Sequence, residues 1–202
     1  MALVTDELYG PQDIARRVAD VGRRIAHDYP EGSIVLIAVL KGAGFFVADL
    51  ARAVPRPVRC EYIDVLRDGD SEKVVNYHFL APFDVADTHL IVLKDVIRSG
   101  VVETWLQNQL REEKPRSIRF ACVVDHPQDR KSALRADYVL FPAEESVLVG
   151  YGMEFLGEGG NFPFIAQVRT EGEAPFESTA DRLARADEPH PSIRRMRGEG
   201  TR

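Results

Sequence analysis

Apolar residues along this chain switch between two spacings. In PQDIARRVADVGRRIAHDY, Ile14, Val18, Val21 and Ile25 recur every three or four positions with arginines on the other side, which predicts an amphipathic helix opening at Pro11. GSIVLIAVL follows as a nearly unbroken apolar run, the pattern of a strand covered on both faces. After KGAG the helical spacing returns through Phe46, Leu50 and Val54, and VRCEYIDVL reads as the next strand. HLIVLKDV is another buried strand, and Val102, Trp105, Leu106 and Leu110 mark the helix behind it. SIRFACVVD, DYVLF, SVLVGYG and FPFIAQV supply further short strands. Strands alternating with helices predict an α/β fold, a mostly parallel sheet flanked by helices and joined by right-handed crossovers.

Two stretches depart from this pattern. RDGDSEKVVNYHF, within residues 67–83, is polar and reads as a mobile excursion or a ragged hairpin. From Arg169 onward prolines, glycines and mixed charge take over, with one weakly amphipathic patch, STADRLARA. The chain therefore divides into a folded domain over residues 1–168 and a polar tail over 169–202 that is expected to be disordered.

The 202 residues suffice for one sizeable core. A net charge of −6 argues against nucleic acid as a partner, but a local basic pocket would still attract a small anion. Cys60 and Cys122 lie in apolar runs with no metal-ligand spacing, so both are expected to be buried free thiols in a reducing compartment. No apolar run approaches the roughly 20 residues of a membrane span, and the N-terminus carries no signal-peptide pattern. These features predict a cytoplasmic protein with no membrane partner.

In an open parallel sheet, ligands sit beyond the carboxyl ends of the strands. Three loops leave such ends: Lys41–Gly44, Lys94–Gly100 and Asp125–Arg130. The first joins a cation, Lys41, to Gly42, whose backbone could approach an anion ahead of a helix N-terminus; a plain tight turn explains it equally well. In the second, Ser99 and Gly100 stand at a helix mouth, where Ser99 could cap the helix or donate to a phosphate and Arg98 could fork onto the same anion. In the third, His126 could meet a ligand, although base rates favour a surface histidine. Glu154, in VGYGMEF, is a candidate magnesium ligand because hard cations prefer carboxylate oxygen, but one carboxylate needs phosphate oxygens beside it.

Taken in order, these segments resemble the hypoxanthine-guanine phosphoribosyltransferase family of type I phosphoribosyltransferases. VLIAVLKGAGFFVADLARAV is similar to that family's strand, pyrophosphate loop and helix. LIVLKDVIRSG is similar to its diphosphate-sugar motif, CVVDHP to its purine-oxygen loop, and VLVGYGMEF to its base-and-metal segment. The resemblance spans Ile14 to Val168. It implies a type I fold with a small hood region, magnesium as cofactor, a homo-oligomer, and transfer of a phosphoribosyl group from phosphoribosyl diphosphate to a purine nitrogen. It also implies phosphate-binding roles for Lys41, Gly42, Ser99 and Gly100, catalytic positions at Asp95 and Arg98, a base pocket at His126 and Val147, and a metal ligand at Glu154.

Several of these positions depart from the family pattern. Its first acid is Lys94 here, its second remains Asp95, and its third, the proton acceptor, is Arg98. A guanidinium stays protonated at neutral pH and cannot accept that proton. A phosphate-binding threonine is replaced by Val102, the purine-reading lysine by His126, the stacking aromatic by Val147, an arginine by Gly160, and the metal aspartate by Glu154; the Ser-Tyr pair of the closing loop is missing from DVLRDGDSEKVV. Losing a general base alone costs roughly two to four orders of magnitude in rate.

The resemblance and its departures together predict a divergent enzyme. It would bind a phosphorylated sugar or nucleotide and act on an acceptor other than, or in addition to, 6-oxopurines. A non-catalytic nucleotide-binding or regulatory protein is the alternative, with Lys94 and Arg98 raising the local positive potential. A partner subunit for an active paralogue, with an interface around Tyr62 and Phe79, is a third reading.

Overall fold

The computed structural model describes residues 5–67, 74–80, 83–143 and 147–168. Its main sheet has six strands in the order β4-β3-β2-β5-β6-β7. These are β2 (Ile34–Val39), β3 (Val58–Arg67), β4 (Val74–Phe79), β5 (His89–Ile97), β6 (Ser117–Asp125) and β7 (Tyr138–Pro142). All neighbours run parallel except β3 and β4, which form an antiparallel hairpin. That pairing favours the hairpin reading of the polar stretch; residues 68–73, between the two strands, lie outside the described residues.

Every residue of β2 is buried, and its two-residue period divides the core. Ile34, Leu36 and Ala38 face a cluster with α1 (Pro11–Asp28) and α2 (Gly44–Ala53). Val35, Ile37 and Val39 face the opposite cluster, which holds Leu106 and Leu110 of α3 (Val101–Glu112). α1 buries the expected stripe of Ile14, Val18, Val21 and Ile25. It also buries Gly22, where an added Cβ would lie 2.6 Å from the Ala53 carbonyl oxygen, so this glycine lets α1 and α2 approach closely.

The topology places the site. From β2 the chain crosses to β3 on one side, and from β5 it crosses to β6 on the other. Right-handed crossovers in opposite directions put α2 and α3 on opposite faces and open a crevice between the carboxyl ends of β2 and β5.

A separate three-stranded antiparallel sheet, the small hood, is formed by β1 (Thr5–Tyr9), β9 (Ile165–Val168) and β8 (Leu148–Val149). β1 was not expected, because TDELY lacks an apolar alternation and pairs only with a strand far along the chain. Conversely, the strand expected over SVLVGYG is cut to Leu148–Val149, since Gly150, Tyr151 and Gly152 all take positive φ and turn the chain back. The strand expected over FPFIAQV begins only at Ile165.

Other expectations need correction. Cys122 is buried, with its thiol pKa pushed up by that burial, but Cys60 is only half-buried. Tyr62 is exposed, whereas Phe79 packs edge-on against Tyr77 and Phe83 and covers the α3-side core instead of offering a free surface. The tail over 169–202 and its expected disorder lie outside the described residues. Among the described residues no helix is long and apolar enough to cross a membrane.

Candidate functional site

Four segments converge at the crevice. Beyond β2, Leu40 and Lys41 are joined by a cis peptide bond, and the Gly44 amide donates to the Lys41 carbonyl at 3.1 Å to close the turn into α2. Lys94 and Asp95, expected in the second loop, lie within β5, which runs on to Ile97. A Cβ on Gly42 would lie 2.5 Å from Cγ of Asp95, so the first loop meets the end of β5 with no room for a side chain. Gly100 takes φ +73 and caps α3, its carbonyl accepting from the Thr104 amide at 3.0 Å and the Thr104 hydroxyl at 2.7 Å. Glycine therefore holds the cap position expected of Ser99, while the Ser99 Oγ accepts from the Val101 amide at 3.4 Å.

The third loop is tied to the second. The His126 amide donates to the Ile97 carbonyl at 2.9 Å, and the Lys131 amide donates to the Ser99 carbonyl at 2.8 Å. The fourth segment reaches the first at Gly152, where a Cβ would lie 3.2 Å from the Gly42 carbonyl carbon.

The charges at this junction are paired. Lys94, only 9% exposed, places its Nζ 3.3 Å from Oδ1 of Asp95. Arg98 reaches across to Asp129 at 3.0 Å, and Arg130 pairs with Asp125. A hollow of about 240 Å³ is lined by Lys94, Asp95, Arg98, Ser99 and Glu103, with Val96 and Val102. A second, of about 460 Å³, shares Arg98 and Ser99 and adds Gln128, Asp129, Arg130 and Lys131.

The first hollow thus sets two cations against two carboxylates, which corrects the expected net positive potential there. Three cations face one carboxylate in the second. The sequence reading missed Glu103, buried at 5% exposure. Its signal was its place three residues before Leu106 and seven before Leu110, on the buried stripe of α3.

His126 is not a surface residue; it is 1% exposed because its loop folds back over the end of β5. Burial, followed by the nearby Arg98 charge, pushes its pKa down and favours the neutral ring. Gln128 Nε2 lies 3.5 Å from its Nδ1, and its Nε2 is buried with no protein partner. Val147 is 44% exposed, and Glu154 is exposed beside Gly160, where a Cβ would lie 2.7 Å from the Glu154 Cγ. His126, Val147 and Glu154 line neither of the two hollows.

Magnesium prefers about six oxygen ligands in near-octahedral array. Here Oδ1 of Asp95 faces an ammonium, Glu154 lies apart against Gly160, and no group of three or more His, Cys, Asp or Glu among the described residues could hold a metal. The donor set does not fit a protein-held magnesium ion.

Comparison with known proteins agrees with this geometry. The family described as "Phosphoribosyl transferase domain" matches residues 4–156. The chain belongs to the phosphoribosyl transferase family. It is 33% identical over 153 residues to the hypoxanthine-guanine phosphoribosyltransferase of Mycobacterium tuberculosis, covering 71% of this chain and 76% of that one.

Among solved structures, a hypoxanthine-guanine phosphoribosyltransferase from Bacillus anthracis superposes with a TM-score of 0.77 at 31% identity, over 83% of this chain and 99% of that one. Hypoxanthine phosphoribosyltransferase from Trypanosoma cruzi, in complex with its product IMP, gives 0.76 at 26% identity, over 85% and 97%. The type I fold and the hypoxanthine-guanine ancestry expected from the motifs therefore hold.

Proposed function

We propose that this member of the phosphoribosyltransferase family binds a phosphorylated sugar or nucleotide between the Lys41–Gly44 loop and the carboxyl end of β5 with the turn through Gly100. It transfers the sugar to an acceptor other than, or in addition to, a 6-oxopurine. One observation carries this reading: the loops still converge, while the positions facing the crevice hold Lys94 paired to Asp95 and Arg98 paired to Asp129. Glycosyl transfer through a ribosyl-cation-like state needs the leaving diphosphate stabilised and the acceptor's proton removed.

Arg98 cannot remove that proton. The acceptor that suits this site is one whose attacking nitrogen carries no proton, or a heterocycle already ionised at neutral pH. The nucleotide bound by the Trypanosoma cruzi relative supports a ligand of the same class. We place the protein in the cytoplasm as a homo-oligomer, which sedimentation and cell fractionation check.

The test is pyrophosphate release from phosphoribosyl diphosphate with three acceptor sets: 6-oxopurines, ionised heterocycles, and heterocycles with a pyridine-type nitrogen. Release with at least one of the latter two sets is expected, faster than any release with 6-oxopurines. Rapid nucleotide formation from hypoxanthine or guanine alone sinks the acceptor assignment. Calorimetric binding with no release from any acceptor favours instead the nucleotide-binding, regulatory role that the paired cations at positions 94 and 98 also suit.

A further inference from the structure

The two oxygens of the Asp95 carboxylate have different neighbours. Oδ1 faces the Lys94 ammonium at 3.3 Å, and Oδ2 is packed against the backbone of Gly42. Lys94 comes from β5, opposite Cys122 in register, and its side chain is 11% exposed, so it is held in the wall of the hollow and does not sweep through solvent. Glu103, 5% exposed, lines the same hollow.

Magnesium in phosphate-binding sites commonly bridges one or two protein carboxylates to phosphate oxygens. Here the place beside Asp95 from which such a bridge would start is held by a cation that belongs to the chain. A lysine ammonium is a compact point charge with three donors, able to contact a carboxylate and a phosphate oxygen together. A divalent ion at Asp95 would meet a like charge a few ångströms away.

We infer that Lys94 is a built-in counter-cation, and that this protein binds the diphosphate of a phosphoribosyl diphosphate-type ligand without a divalent metal. The inference rests on the reading that such an anion is the ligand. It assigns to Lys94 a binding role, bridging Asp95 to the ligand's oxygens, and it puts an ammonium where a metal ion would otherwise lie against Asp95.

The experiment is calorimetric titration of the full chain with phosphoribosyl diphosphate, once in EDTA and once in excess magnesium. Dissociation constants agreeing within about threefold are expected. Lys94→Met should weaken binding in EDTA by about tenfold or more. Lys94→Glu should bind only when magnesium is present. Thermal melts of each variant check that it is folded.

A second readout uses manganese as the probe. In electron paramagnetic resonance, the free-ion signal should survive addition of the wild-type protein with phosphoribosyl diphosphate no less than with the ligand alone, and should be quenched further by Lys94→Glu with the same ligand. Wild-type binding seen only with magnesium overturns the inference and leaves the ligand class standing. Undiminished EDTA binding by folded Lys94→Met removes the role of Lys94. Wild-type protein that binds in neither condition overturns the ligand reading and this inference with it.

Discussion

Replacing Gly42 with alanine tests whether the Lys41–Gly44 loop and the end of β5 form one unit. The new methyl would lie 2.5 Å from Cγ and 2.8 Å from Cβ of Asp95, closer still to Oδ2. Carbon atoms in contact settle at about 3.5–4.0 Å, so roughly 1 Å of overlap must be relieved by moving the turn or rotating Asp95. Rotation breaks the 3.3 Å contact with Lys94, whose buried ammonium then loses that carboxylate.

Overpacking of this kind costs about 1–3 kcal/mol. At about 2 kcal/mol, a chain of this size should melt roughly 4–8 °C lower. A similar loss in the positioning of the site weakens phosphoribosyl diphosphate by about tenfold to a hundredfold. Scanning calorimetry and isothermal titration read the two effects separately.

A double-mutant cycle makes the origin explicit. Asp95→Ala deletes Cγ and both oxygens, leaving only the 2.8 Å contact, so Gly42→Ala should cost about 1 kcal/mol less in that background. Additive stability losses would show that the clash is not with Asp95, and an unchanged melting temperature and affinity in Gly42→Ala alone would refute the packing argument altogether.

Gly22→Ala pushes a methyl against the Ala53 carbonyl and should destabilise the fold by about 1–3 kcal/mol, while ligand affinity stays constant because α1 lines neither hollow at the crevice. Urea unfolding and titration distinguish the two. Tyr151→Phe removes the hydroxyl that donates to Asp49 at 2.7 Å and should cost about 1 kcal/mol. It should also remove from the ultraviolet titration one phenol that ionises above the ordinary tyrosine range, held there by burial and then by Asp49.

Burial holds the folded-state pKa of His126 below its ordinary 6.5. Its neutral ring therefore contributes full stability above that pH and loses it as pH falls, by at most about 1.4 kcal/mol per unit. Denaturant midpoints between pH 7 and 5 should fall less steeply in His126→Gln. A residual slope remains from His89, whose pKa is also lowered by burial.

Much of this architecture was legible in local pattern. The stripe of Ile14, Val18, Val21 and Ile25, the unbroken run of β2 and the helix through Leu106 and Leu110 each follow from periodicities of three to four or of two, properties of a short segment alone. Alternation of strand and helix then placed Lys41, Asp95, Ser99 and Gly100 at strand ends. The exchange of carboxylates for Lys94 and Arg98 was readable letter by letter.

What the letters left open was decided by segments distant in sequence. Arg98 meets Asp129 thirty-one positions away, so a cation expected to lie over an anion site is first a bridge between two loops. His126 is buried because its amide is bonded to Ile97, and TDELY becomes a strand because β9 lies beside it. Glu103 faces the hollow because α3 turns it inward beside Lys94 and Asp95. Periodicity specifies which side of an element is apolar, but burial and charge pairing in loops depend on contacts closed only when remote strands align. That is why the sequence alone determined the parallel strands, the helices and the loop chemistry, while tertiary packing decided the hood strands and which charges from distant segments neutralise one another.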